Sequence, residues 1–187
     1  MPAKTPRTYQ LKVALLGVKP PIWRRILVPA DLSLGRLHGV LQVAMGWTDS
    51  HLHQFIADNT FYGTPDEDFG FDEVRDENRY RLNQLLRSEK DWLKYEYDFG
   101  DSWEHRITLE KILPAEDKGL LPRCIKGKRA CPPEDCGGIW GYQNLLEILA
   151  DPKHDEHEDM LEWLGGEFDP EEFDLNVTNA MLAQFAR

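Results

Sequence analysis

The residues with the widest chemical reach sit in two short stretches, Tyr97-Asp98-Phe99-Gly100-Asp101-Ser102-Trp103-Glu104-His105 and Ala130-Cys131-Pro132-Pro133-Glu134-Asp135-Cys136-Gly137-Gly138. Asp98, Asp101 and Glu134 are carboxylates on turn-forming backbone, and His105 closes the first stretch. Drawn to one point, such groups could hold a divalent ion that activates water, which is the chemistry of a metal-dependent hydrolase or nuclease. The leading reading is instead a binding surface for a protein or small molecule where the 98–105 hairpin tip meets the 131–142 loop, formed by the same carboxylates with Trp103, Asp135 and Tyr142 beside them. The plainer alternative is structural. Aspartates are ordinary turn formers, and a histidine between apolar neighbours is commonly a core residue with one satisfied ring nitrogen.

Two further groups of residues have metal-ligating types. Cys124, Cys131 and Cys136, separated by six and four residues on proline-rich backbone, could supply three of the four tetrahedral ligands of a zinc ion, with a histidine completing it. Against this, no Cys-x-x-Cys knuckle is present, and unpaired, partly buried thiols give the same pattern. His51 and His53 fall on one face of a strand expected over 51–56, so both imidazoles could turn toward one ion; His53 and His105 are therefore candidate ligands beside the cysteines. Asp98-Phe99-Gly100 also matches a kinase magnesium motif, but no glycine-rich loop, strand lysine or catalytic-loop motif accompanies it.

The elements that must position these groups follow from periodicity. Residues 92–97 and 103–110 alternate apolar and polar with period two, which predicts two half-buried strands. Opposed residues of an antiparallel pair share a face, so a four-residue loop would set the charged row of one strand against the apolar row of the other. A five-residue loop, Asp98 to Ser102, pairs Tyr97 with Trp103, Tyr95 with His105 and Leu93 with Ile107. That register turns His105 inward and leaves Asp98 and Asp101 in the loop, with Gly100 available for a positive φ.

Upstream, residues 8–16 and 22–28 predict a first hairpin, with Arg24 and Arg25 read as charged edge residues. Ser33 is a good N-cap for an amphipathic helix that Gly46 stops. A short strand over 59–63, an exposed acidic loop over 64–78 and a short helix near 81–86 lead into the central hairpin. Residues 113–138 read as an irregular Cys/Pro-rich loop, and helical patterns follow over 142–149, 154–164 and 177–185. The fold class is therefore α+β: a mixed or antiparallel sheet of hairpins with the long helix packed on one face, an order reminiscent of a β-grasp arrangement, and a C-terminal helical segment. We expect one domain over 1–187, comprising a 1–112 core, the 113–138 loop and an acidic 139–187 part.

Net charge is −11, divided between a basic 1–48 segment at +6 and an acidic 151–174 segment at −10. The acidic balance argues against extended nucleic-acid backbone binding, for which only Lys19, Arg24, Arg25 and Lys126 to Arg129 remain as a local basic surface. No stretch is apolar enough for a membrane span, the N-terminus carries no signal-like segment, and three cysteines are too few for a disulfide scaffold. A cytosolic location is expected.

The two opening stretches, together with Gly141-Tyr142, Pro20-Pro21-Ile22-Trp23-Arg24-Arg25, the Gly46-Trp47 turn before His51-Leu52-His53, and Trp163 to Phe173, resemble the plasmid pRiA4b ORF-3-like family over nearly the whole chain. The resemblance implies a compact α+β domain with no established activity. Some relatives are passengers of insertion elements or plasmids and carry a resolvase-like label, but this sequence shows no recombinase serine or tyrosine constellation to support it. The family pattern often has an apolar residue where Cys136 stands here, which leaves Cys124 and Cys131 as the pair for any shared zinc site.

Overall fold

A computed structural model describes residues 7–65, 74–115 and 119–186. Its frame is an eight-stranded sheet built from β1 (Arg7–Leu15), β2 (Trp23–Pro29), β3 (His53–Ala57), β4 (Thr60–Gly63), β5 (Arg75–Asp76), β6 (Trp92–Tyr97), β7 (Trp103–Pro114) and β8 (Arg123–Lys128). The strand order is β5-β4-β3-β6-β7-β1-β2-β8. Every neighbouring pair is antiparallel except β4 with β5, so the sheet is mixed. The helices are α1 (Leu34–Met45), α2 (Leu82–Leu85), α3 (Gly138–Ala150), α4 (His157–Leu164) and α5 (Leu175–Leu182).

The central hairpin has the five-residue loop that alternation requires. Tyr97 pairs with Trp103, Tyr95 with His105 and Leu93 with Ile107, and all six side chains are buried. Positive φ falls at Asp98 and Ser102 rather than at Gly100, because the Asp98 carboxylate itself turns the loop by accepting hydrogen bonds from the amides of Gly100 and Asp101. In β1, Tyr9, Leu11, Val13 and Leu15 face the same core.

Helix α1 starts at Ser33, whose hydroxyl accepts from the Arg36 amide, and stops at Gly46, whose φ of 106° suits a residue without Cβ. Its buried stripe, Leu34, Leu37, Val40, Leu41, Ala44 and Met45, joins the core of the sheet. These residues pack in the same core as the buried faces of the strands, and Gly46 releases the chain toward the loops at the end of the central hairpin.

Two expectations for the N-terminal half are corrected. Strand β2 is interior, flanked by β1 and β8, and Arg24 faces the core at 2% exposure. Its guanidinium is satisfied by carbonyls, donating to Ala44 O at 2.7 Å and to Lys128 O at 3.0 Å, and lies over the Phe173 ring. Only Arg25 points outward, where Glu110 holds it in a two-point ion pair. The 113–138 region is also not all loop, since β8 forms the sheet edge. Its Lys126-Gly127-Lys128 run hid the strand because an edge strand need not alternate hydrophobically.

Most of the acidic stretch expected as an exposed loop lies outside the described residues, but its end does not. Glu77, in a short 3₁₀ turn after β5, is buried. At the C-terminal end, Asn179 of α5 exchanges two hydrogen bonds with the Cys124 backbone, and Phe185 O accepts from Arg36, so this segment folds back onto β8 and α1. No helix among the described residues is long and apolar enough to cross a membrane.

Candidate functional site

Three loops meet at the end of the central hairpin: the 46–52 turn after α1, the 98–102 hairpin loop and the 131–137 segment before α3. Glycines allow the approach. At Gly138 (φ 67°), an added Cβ would stand 2.6 Å from the Asp101 carbonyl oxygen, and at Gly141 it would run into the carbonyl of Cys136. Direct hydrogen bonds then join the loops. The Gly137 amide donates to Asp101 Oδ2 at 3.1 Å, and the Trp47 indole N–H donates to Pro132 O at 3.1 Å.

Glu134 is held on several sides. Its Oε1 accepts from the Thr48 amide at 2.9 Å, from the Thr48 hydroxyl at 3.2 Å and from the Tyr97 hydroxyl at 3.0 Å. Burial, with Glu134 beside it, pushes the Tyr97 phenol up, so at neutral pH Tyr97 keeps its proton and donates it. The Ser50 amide in turn donates to the same phenol oxygen.

At the centre stands His51. Its Nε2 lies 3.0 Å from Asp135 Oδ1, 3.6 Å from Asp98 Oδ2 and 3.8 Å from Glu134 Oε2. That nitrogen is buried, yet none of the three oxygens meets it along a hydrogen-bond line, even at 3.0 Å. His51 Nε2, Asp98 and Asp135 offer ligand atoms within 4.8 Å of one another, the one such group of three or more among the described residues. Asp98 and Asp135 both hold left-handed backbone, with φ of 59° and 57°. Local strain of this kind persists where the surroundings over-determine it.

Behind the turn lies a second histidine network. The rings of His38 and His53 stack at 3.4 Å and 4°. Gln42 accepts from the Asp49 amide and donates to the Tyr95 hydroxyl, so the Tyr95 proton goes to His38 Nδ1 and His38 Nε2–H is left to donate to Asp49. Burial and the neighbouring His53 lower the His38 pKa, against the pull of Asp49. His53 Nε2 meets buried Glu77 at 2.8 Å. His51 and His53 therefore serve different places: His51 precedes β3 and turns to the loops, whereas His53 turns under α1. Only His51 falls in the cluster of metal-ligating atoms; His53 does not.

Several expected participants stand elsewhere. His105 faces the core, fully buried, edge-on to Trp47, with Nδ1 3.4 Å from Tyr95 O. Burial lowers its pKa to about 4, so it is neutral and apart from the carboxylates. Trp103 and Tyr142 are buried supports beneath the loops rather than contact residues, with burial pushing the Tyr142 phenol up to about 12. The three thiols do not form one ligand shell. Cys124 lies on β8 with its sulfur on Lys126 O, and burial pushes Cys131 far up and Cys136 up to about 12, keeping them protonated. Of the basic residues, Arg24 and Arg129 are buried, with Arg129 bound to Glu171 and Pro20 O, whereas Lys19, Lys126 and Lys128 are exposed.

Asp98, Asp101, Glu134 and Asp135 are thus brought together as their types suggested. Sequence reasoning assigned no site role to Trp47, Thr48 or Tyr97, and placed His51 only with His53. The available signal was the Gly46-Trp47-Thr48-Asp49-Ser50 turn directly before His51, whose polar residues have no strand or helix to serve.

Comparison with known proteins agrees with this fold. The sequence profile of the plasmid pRiA4b ORF-3-like proteins matches residues 7–177. The chain is 45% identical over 156 residues to "Uncharacterized protein y4hQ" of Sinorhizobium fredii, covering 83% of this chain and 80% of that one. It is also similar to the crystal structure of the protein of unknown function MM3350 from Methanosarcina mazei Go1, with a TM-score of 0.84 and 40% identity over 92% of this chain and 98% of that chain. The chain belongs to the plasmid pRiA4b ORF-3-like family.

Proposed function

We propose that this chain is a ligand-binding or interaction domain whose binding surface is the junction of the 46–52, 98–102 and 131–137 loops, and that the group it receives there is cationic. One observation carries this reading. Asp98, Glu134 and Asp135 gather around His51, with Asp101 next to them in the hairpin loop on the Gly137 amide, and among the described residues no lysine or arginine is ion-paired to any of them. Gathering like charges is unfavourable unless a positive group joins them. Leu52, Phe99 and Trp140, each within two residues of a loop contact, are exposed, Trp140 at 82%, which supplies apolar surface for the rest of a ligand.

Thermal shift at low ionic strength tests this, because salt screens such a site. Chelator-treated protein is mixed separately with Zn²⁺ or Mn²⁺, with spermidine, and with tetralysine. At least one is expected to raise the melting temperature, and Asp98→Asn with Glu134→Gln to abolish the rise. No shift with any of them overturns the reading.

A second reading is a metal-dependent hydrolase, favoured by an imidazole placed among carboxylates at an open rim. Its check is metal-dependent cleavage of bis(p-nitrophenyl) phosphate that Asp98→Asn removes; activity equal to that of the variant would dismiss it.

A further inference from the structure

We infer that the cation taken by this site is a divalent transition-metal ion, bound directly by His51 Nε2, Asp98 Oδ2 and Asp135 Oδ1. This rests on the reading of the loop junction as a cation site, and narrows it from any positive group to one that coordinates.

The spacing is the first argument. Two donors each about 2.1 Å from one ion are about 3.0 Å apart at a right angle, about 3.6 Å apart at 120° and about 4.2 Å apart when opposed. The observed separations from His51 Nε2, 3.0 Å to Asp135 Oδ1 and 3.6 Å to Asp98 Oδ2, fall on that scale. An ion-paired imidazolium would instead aim its N–H along one oxygen. His51 Nε2 is buried among three carboxylates and aims at none of them.

The second argument is the division of labour within each carboxylate. The Asp98 side chain is only 8% exposed; Oδ1 is occupied by the amides of Gly100 and Asp101, and Oδ2 turns toward His51. In Glu134, Oε1 is tied to Thr48 and Tyr97, and Oε2 turns the same way. One oxygen anchored to the scaffold and the other presented to a common point is how ligands are oriented around metal ions. Glu134 lies outside the three-atom cluster, so it would act through a metal-bound water, with Tyr97 as its positioning residue.

The donor set selects the ion. One imidazole with two carboxylates suits Zn²⁺ or Mn²⁺, whereas Mg²⁺ and Ca²⁺ prefer all-oxygen sites. Three protein ligands leave positions open on the outer side, toward the apolar rim.

The test uses the full chain, free of any histidine tag. After chelation and buffer exchange, calorimetric titration with ZnCl₂ and with MnCl₂ is expected to show one ion per chain. His51→Gln and Asp98→Asn should each weaken binding at least 100-fold, and Tyr97→Phe roughly 10-fold. Cys131→Ser, which lies outside the ligand set, should bind as the parent does. His51 is partly exposed, so its variant serves if Asp98→Asn fails to fold. The inference falls if neither ion binds stoichiometrically, or if binding survives His51→Gln. Spermidine or tetralysine stabilisation that depends on Asp98, without metal binding, would sink the metal and leave the cation site standing. Absence of all three would sink both.

Discussion

A buried histidine that carries no charge leaves a signature in the pH dependence of stability. His105 ionises near 4 in the folded protein, because burial disfavours the imidazolium, and near 6.5 once unfolded. Between those values the unfolded chain takes up a proton that the folded chain refuses. The stability contributed by neutral His105 is therefore complete above about pH 6.5 and is lost as pH falls toward 4, on the order of 3 kcal/mol in all. His38, also lowered by burial, acts in the same direction. Urea denaturation at pH 7 and pH 4.5 should show the loss, and His105→Gln, which cannot titrate, should flatten the slope. An unchanged slope would mean that the loss comes from other groups.

At the scale of elements, the loops around His51 are precise because two backbone contacts leave no room for a side chain. In an ordinary helix, replacing glycine by alanine gains up to about 1 kcal/mol. At Gly141, in the first turn of α3, the new methyl would run into the Cys136 carbonyl and force the 131–137 segment away from the hairpin. Gly141→Ala is therefore expected to cost about 1–3 kcal/mol by urea denaturation. It should also loosen the Trp47 to Pro132 contact, read as a change in tryptophan fluorescence. A stabilised Gly141→Ala variant would refute the clash. Trp47 bridges the levels here: its ring packs on Tyr97, Trp103 and His105 while its N–H secures the other loop.

Over the whole molecule, what the sequence made legible is what local pattern decides. The register of β6 and β7 followed from two alternating rows and a loop length, and α1 from Ser33 and Gly46. What stayed hidden depends on partners distant in the chain. Arg24 carries no local mark of burial, because the carbonyls that receive it belong to α1 and β8. Glu77 looked like one more loop carboxylate until His53 took it inward. His51 differs from His53 only in lying before the strand begins, so alternation placed both on one face when the Asp49 turn had already redirected it. The carboxylates of the site could be named, whereas the histidine they surround required the fold.

The position of β1 between β2 and β7 also governs how the chain can be made. Its first neighbour follows at once, but its second begins at Trp103, with which the β1 edge cannot pair until nearly ninety residues later. At a synthesis rate of about 5–20 residues per second, that delay is roughly 5–20 seconds. A fragment ending at Ser102 should accordingly show no cooperative unfolding by circular dichroism, and a cooperative transition would disprove this dependence. For those seconds the nascent hairpin presents an open, apolar-backed edge at the ribosome exit. In the finished sheet β1 is covered on both sides, by β2 and by β7.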